Sequence, residues 1–173
     1  MPRMTLAHEG CLACDLASGR RPLPGGRLAE RSGWVVEHAV APLGLGTLVV
    51  KPLRHVLHVA DLDDAESAAL GPLLRHVSAA VTEVVRPEQV YVCLWSHAGG
   101  QPGHIHFVVQ PVRREDMERF GAFGLSLQTA MFAADQRPEP AEIEAFCTRV
   151  RPLLAAGTGS SQDGEGQDGE ISS

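Results

Sequence analysis

The sequence predicts an α+β domain: a mainly antiparallel sheet with helices packed on one face. Three observations lead there. Two pairs of short segments rich in β-branched residues, GWVVEHAV with GTLVVKPL and QVYVCLWSH with GHIHFVVQPV, are each joined by a glycine-containing connection, the pattern of antiparallel strands. A long stretch with helical spacing separates the pairs, and two more follow them. With 173 residues, 44% of them hydrophobic, the chain can bury one sizeable core.

Taken in order, Leu6 to Ser18 reads as a short helix that carries Cys11 and Cys14 on nearly one face, and RPLPGG after it as loop. Strands follow at GWVVEHAV and GTLVVKPL, joined by APLGLG, and the second runs into the polar-apolar loop RHVLHVADL. At Asp63 a helix can begin, with Glu66 three residues on as its capping-box partner, and apolar spacing carries it to about Val85. Gly71-Pro72 is expected to kink or split it. QVYVCLWSH and GHIHFVVQPV are the next strands, joined by the turn AGGQP. The stretch RREDMERFGAFG has no decisive periodicity, whereas LSLQTAMFAA and PAEIEAFCTRVRPLLAA read as closing helices, the latter with Pro140 in its first turn.

The formal charge of -6 owes most to the tail from Gly157 to Ser173, which holds Asp163, Glu165, Asp168 and Glu170 and no Lys or Arg. That tail cannot bury enough apolar area to offset its ordering entropy, so it is expected to be disordered, with one domain over 1–156. The rest is near neutral and has no basic footprint for nucleic acid; a small charged metabolite suits it better. No apolar run reaches the roughly 20 residues of a membrane span, and MPRMTLAHEG lacks a signal-peptide core, so a cytoplasmic protein is expected.

In a reducing compartment the four cysteines are read as ligands or small core residues. Cys11-x-x-Cys14 is half of a tetrahedral zinc site, since this spacing lets two thiolates reach one ion, but two packed thiols would look the same. Cys93 and Cys147 lie in apolar segments and read as core. Of the eight histidines, His8 and His76 read as solvated or packed, His38 faces either core or cleft, and His55 and His58 stand in a loop where a ring can turn to a metal. His104 and His106 share one face of a strand, about 7 Å apart, opposite Ile105, Phe107 and Val109. The pair could bind metal, attack a substrate, or simply be half-buried. Backbone N–H groups of the flanking AGGQPG could hold an oxyanion beside it, which suggests phosphoryl chemistry.

Together these residues resemble the histidine-triad superfamily of nucleotide hydrolases and transferases. Its motif of alternating histidines and apolar residues, preceded by a Gly-Gln turn, corresponds to GQPGHIHFVVQP, one residue shorter between Gln and His. GTLVVKPLRH aligns without gaps on the family's Gly-x-x-Leu-Val-Ile-Pro-x-Arg-His, and CLAC stands where many bacterial members carry Cys-x-x-Cys. The resemblance implies the family's sheet of about five strands, a structural zinc on Cys11, Cys14, His55 and His104, and His106 as nucleophile. It also implies that Gly100 and Gln101 contact the phosphate or leaving group, that the ligand is a nucleotide-like phosphate, and that the chain forms a homodimer through its long helix and sheet edges.

The departures are specific. The third motif position is Val108 rather than His, with Gln110 and His97 as candidate substitutes. Where the family grips ribose hydroxyls with an Asp, followed two residues later by an Asn, this chain has Ala39 and Ala41. Either Glu37 or His38 takes over that duty, or the substrate is not an ordinary nucleotide. Two functions follow as expectations: a nucleotide phosphate hydrolase or nucleotidyltransferase with a covalent histidine intermediate, or an inactive zinc-stabilised module that binds a nucleotide-like metabolite or a protein.

Overall fold

In the computed structural model, which describes residues 8–156, the two strand pairs meet in one sheet. β2 (Trp34–His38) pairs antiparallel with β3 (Leu48–Pro52), and β4 (Gln89–Leu94) with β7 (Phe107–Val112). β3 and β7 pair in turn, and β1 (Arg27–Arg31) adds to the outer edge of β2, giving five antiparallel strands in the order β1-β2-β3-β7-β4. β1 completes the sheet of about five strands that the resemblance implies; the strand pattern alone does not place it. It returns to β2 through Ser32 and Gly33, both at positive φ (48° and 82°), so that Arg31 faces Trp34 across a two-residue turn of the kind Ser-Gly can make.

The second pair is shorter than its sequence suggests. β4 stops at Leu94, and β5 (His97–Ala98) and β6 (Gln101–Pro102) form a separate two-residue ribbon turned by Gly99 and Gly100. His104 and His106 precede β7 in an extended segment tied down by Ile105 N–H to the Val56 carbonyl (2.8 Å) and His106 N–H to Ser96 Oγ (3.2 Å).

The first helix, α1 (Leu12–Ala17), begins after Cys11, which is its N-cap, later than expected; part of the expected stretch lies outside the described residues. α2 (Asp64–Val85) carries the expected capping box: Glu66 N–H donates to Asp63 Oδ1 (2.8 Å) and Asp63 N–H to Glu66 Oε2 (2.9 Å). Gly71-Pro72 does not split it. Pro72 is exposed, so the amide it lacks leaves no buried carbonyl stranded, and the helix runs on for 22 residues. The unassigned RREDMERFGAFG contains α3 (Arg114–Phe120), with Glu115 and Asp116 in the first turn, Arg119 in the last and Gly121 left-handed at its end (φ 58°). α4 (Gly124–Ala134) and α5 (Pro140–Ala156) stand where expected.

α2 and α5 cover one sheet face. Trp34, Val36, Leu48, Val50 and Val109 point at Leu73, Val77 and Val81 of α2 and at Phe146, Val150 and Leu154 of α5, with Cys147 buried among them. α4 covers part of the opposite face, where Val112 meets Leu127 and Met131. The remainder of that face is left open. No helix among the described residues is long and apolar enough to cross a membrane, and the tail 157–173 lies outside the described residues.

Glu66 joins the layers. Besides capping α2, its buried carboxylate takes two hydrogen bonds from Arg54 (2.8 and 2.6 Å), and its carbonyl accepts from Trp34 Nε1 (2.9 Å). Removing the carboxylate takes two hydrogen bonds from Arg54 and one from the Asp63 amide. Glu66→Ala is expected to lower unfolding free energy by roughly 2–4 kcal/mol, read by urea denaturation; a change within about 0.5 kcal/mol would contradict this role.

Candidate metal centre and cleft

Three separate segments bring four ligand side chains together. α1 supplies Cys11 and Cys14, the chain leaving β3 supplies His55, and the chain entering β7 supplies His104. Their ligand atoms all lie within 4.8 Å of one another: Cys14 Sγ is 3.4 Å from His55 Nδ1 and 3.5 Å from His104 Nδ1, and Cys11 Sγ is 3.7 Å from His104 Nδ1. The two imidazoles meet edge to face. Sulfur and nitrogen atoms around one tetrahedral centre with ligand bonds of about 2.0–2.3 Å stand at such separations. Among the described residues this is the group that fits a metal ion, and its two thiolates and two imidazoles are the donor set of a closed, structural zinc site.

Hydrogen bonds set the ring orientations. His104 Nε2 lies 2.9 Å from the Pro52 carbonyl, which can only accept, so Nε2 carries the proton and Nδ1 offers its lone pair to the centre. Burial drives the His104 pKa down from 6.5 to about 4, with lesser lowering from His55, Lys51 and His106, against the Pro52 bond, which raises it. Burial likewise pushes the Cys14 thiol up, and Cys11 adds to that. A metal here displaces thiol protons and meets imidazole already neutral.

His106 turns the other way. Its Nδ1 is 3.1 Å from the His104 carbonyl, so Nδ1 holds the proton and Nε2, in no hydrogen bond among the described residues, presents a lone pair. The ring lines a cleft of about 610 Å³ on the sheet face that α4 leaves open. His97 lines the same cleft at its rim, and Val108 lies on its floor. Gly103 joins rim to floor in a tight approach: a Cβ there would stand 3.1 Å from the His97 carbonyl carbon, and the rim backbone would have to give by a few tenths of an ångström.

Other candidates stand elsewhere. Gly100 and Gln101 are exposed at the tip of the β5–β6 ribbon and do not line the cleft. Gln110 is not a substitute for a third histidine. It is fully buried, its Nε2 donating to the Leu43 carbonyl (3.1 Å) and its Oε1 accepting from Gln128 (2.9 Å), a network that anchors α4. His38 does line the cleft, but both its ring nitrogens are engaged: Nδ1 donates to the Ala39 carbonyl (2.8 Å) and Nε2 accepts from Gly46 N–H (3.0 Å), while its ring edge meets Phe146 of α5. Burial lowers its pKa. The sequence reading gave no role to Lys51, a buried cation on the cleft floor paired with Glu37, although a lysine in the apolar run LVVKP was the signal for it.

No protein-family profile matches the chain, and no curated protein does. Solved structures do match. A Zn-bound histidine triad family protein from Mycobacterium smegmatis aligns with a TM-score of 0.61 at 19% identity, over 85% of this chain and 94% of its own. This chain has the histidine-triad fold. Two further histidine-triad structures agree: a Hit-like protein involved in cell-cycle regulation from Bartonella henselae (TM-score 0.64, 14% identity, 84% and 97% covered) and a hypothetical histidine triad nucleotide-binding protein from Sulfolobus tokodaii (0.63, 16%, 84% and 93%). Within the histidine-triad frame the five-stranded sheet and the Cys-Cys-His-His cluster take their expected positions.

The purified chain is expected to carry one zinc, counted by mass spectrometry of the metal. Cys14→Ser should lower that occupancy and the thermal midpoint together; full occupancy in the variant would contradict the assignment. In chelator-treated protein, the unfolded chain takes up protons at His104 below pH 6.5 that the folded chain refuses until about pH 4. Stability from this ring is therefore complete above pH 6.5 and falls as pH drops toward 4, by about 3 kcal/mol. His104→Asn should flatten that part of the urea-denaturation profile, and an unaltered profile would count against it.

Proposed function

We propose that the chain is a nucleotide phosphate hydrolase or nucleotidyltransferase that works through His106. The observation that carries this reading is the 3.1 Å contact between His106 Nδ1 and the His104 carbonyl, which leaves Nε2 unprotonated at the cleft. In the first step Nε2 attacks the α-phosphorus of a phosphoanhydride or phosphoramidate; the P–N bond forms as the bond to the leaving group breaks, and that group departs with the electron pair. In the second, water, or another phosphate in a transfer reaction, attacks phosphorus, the P–N bond breaks, and the imidazole returns. Within the β5–β6 ribbon, His97 at the cleft rim is the candidate for contacts to the phosphate or leaving group as it develops charge.

Zinc is the proposed resident ion, held by Cys11, Cys14, His55 and His104, and it would tie α1 to the sheet without touching substrate. The proposed setting is cytoplasmic and homodimeric. The outer edge of β4, with Val92 and Trp95 exposed beside it, supports self-association.

A second reading, a binding module without turnover, is favoured by one feature: Val108, Ala39 and Ala41 make this part of the cleft apolar where the family pattern has polar side chains. Incubation with adenosine phosphoramidate and diadenosine polyphosphates separates the two. Hydrolysis with a histidine-linked nucleotide detected by mass spectrometry is expected, reduced by about a thousandfold or more in His106→Ala. No turnover and no adduct in the wild-type chain would favour the binding module.

A further inference from the structure

The chemistry above makes no use of the ion pair on the cleft floor. Glu37 of β2 and Lys51 of β3 are 3% and 1% exposed, touch each other directly, and both line the cleft. Lys51 Nζ donates to Glu37 Oε1 and, at 2.9 Å, to the Ala13 carbonyl of α1. Glu37 is only half engaged. Its Oε2 accepts no hydrogen bond, yet no buried side-chain oxygen or nitrogen among the described residues lacks a partner, so Oε2 is open to the cleft.

Apart from Lys51 and the His38 ring, whose nitrogens are already in hydrogen bonds, the floor around it is apolar. Ala39, Ala41, Val49 and Val108 line the neighbouring surface. A carboxylate oxygen in such a place is costly to leave without a donor, so a ligand that displaces water from it has to bring one. Register fixes where that donor must be. Glu37 lies opposite Val49, and Val49 opposite Val108, with His106 two residues before Val108 on the same side. Glu37 is thus two strands across and two residues along from the nucleophile, on the order of 12 Å. A ligand with its phosphorus at His106 would meet Glu37 with its far end.

We propose that Glu37 is a specificity-determining residue: its Oε2 accepts a hydrogen bond from an N–H or O–H donor at the end of the ligand remote from the phosphate, while Lys51 holds the carboxylate in place. The inference rests on the proposed function for the position of the phosphate. It names the ligand class as phosphates that carry such a donor, on a base edge or on sugar hydroxyls, and sets aside purely apolar phosphate esters.

Calorimetric titration of the full chain with GMP, IMP, AMP, their 2′,3′-dideoxy forms and phenyl phosphate tests it. The bases differ in their N–H donors, the dideoxy forms lack the hydroxyls, and phenyl phosphate lacks both. Wild type is expected to bind a donor-bearing ligand roughly 10- to 100-fold more tightly than its counterpart without the donor, and the series that shows the loss identifies base or sugar as the source. Glu37→Gln should shrink that ratio to within about threefold. The double variant Glu37→Leu with Lys51→Leu leaves no unpaired buried charge and should do the same. An unchanged ratio in both variants overturns the inference, and leaves the proposed chemistry standing if His106-dependent turnover persists. Failure of every ligand to bind wild type overturns both.

Discussion

The cleft end of the molecule depends on the convergence of Cys11, Cys14, His55 and His104. α1 has only six residues, too few to persist on its own, and only Cys14 of the helix is buried. What fixes it is chemical: two cysteines aimed at the imidazoles, and the Lys51 ammonium on the Ala13 carbonyl. Since α1 forms one wall of the cleft, the width of the binding space follows from ligand geometry rather than from core packing.

The sheet then divides labour between its two faces. One face is sealed by α2 and α5 around Trp34, Val77 and Phe146. The other is sealed only in part, by α4, through Gln110, Gln128 and the Tyr91 hydroxyl, which accepts from Gly124 N–H at 2.7 Å. Polar side chains that look available for ligand therefore differ in kind. His38 and Gln110 have both polar ends occupied, whereas His106 and Glu37 each keep one atom unengaged at the cleft.

Much of this was legible in the chain. Alternation of apolar residues gave β2, β3, β4 and β7, and Asp63 with Glu66 marked the start of α2, because strand period and cap chemistry are local. The cluster of Cys11, Cys14, His55 and His104 came from resemblance, since spacing alone closes only half of a site. β1 was missed although Ser32-Gly33 announces its turn, and the β5–β6 ribbon merged into its neighbours because two-residue strands leave no period to read. His38 and Gln110 misled for another reason: their partners, Gly46 and Gln128, are brought to them by tertiary packing. Lys51 shows the converse, a charge inside a strand whose meaning depends on a partner fourteen residues away.

His104 faces two ways. Its ring points at the cysteines, while its carbonyl holds the His106 ring. A side-chain change at position 104 removes a ligand but leaves the carbonyl in the chain, so the orientation of the neighbouring imidazole belongs to the backbone and not to the identity of the residue. Ion binding and the orientation of the His106 ring are adjacent in space but separable by mutation, and a lineage carrying this segment could give up either one while retaining the other.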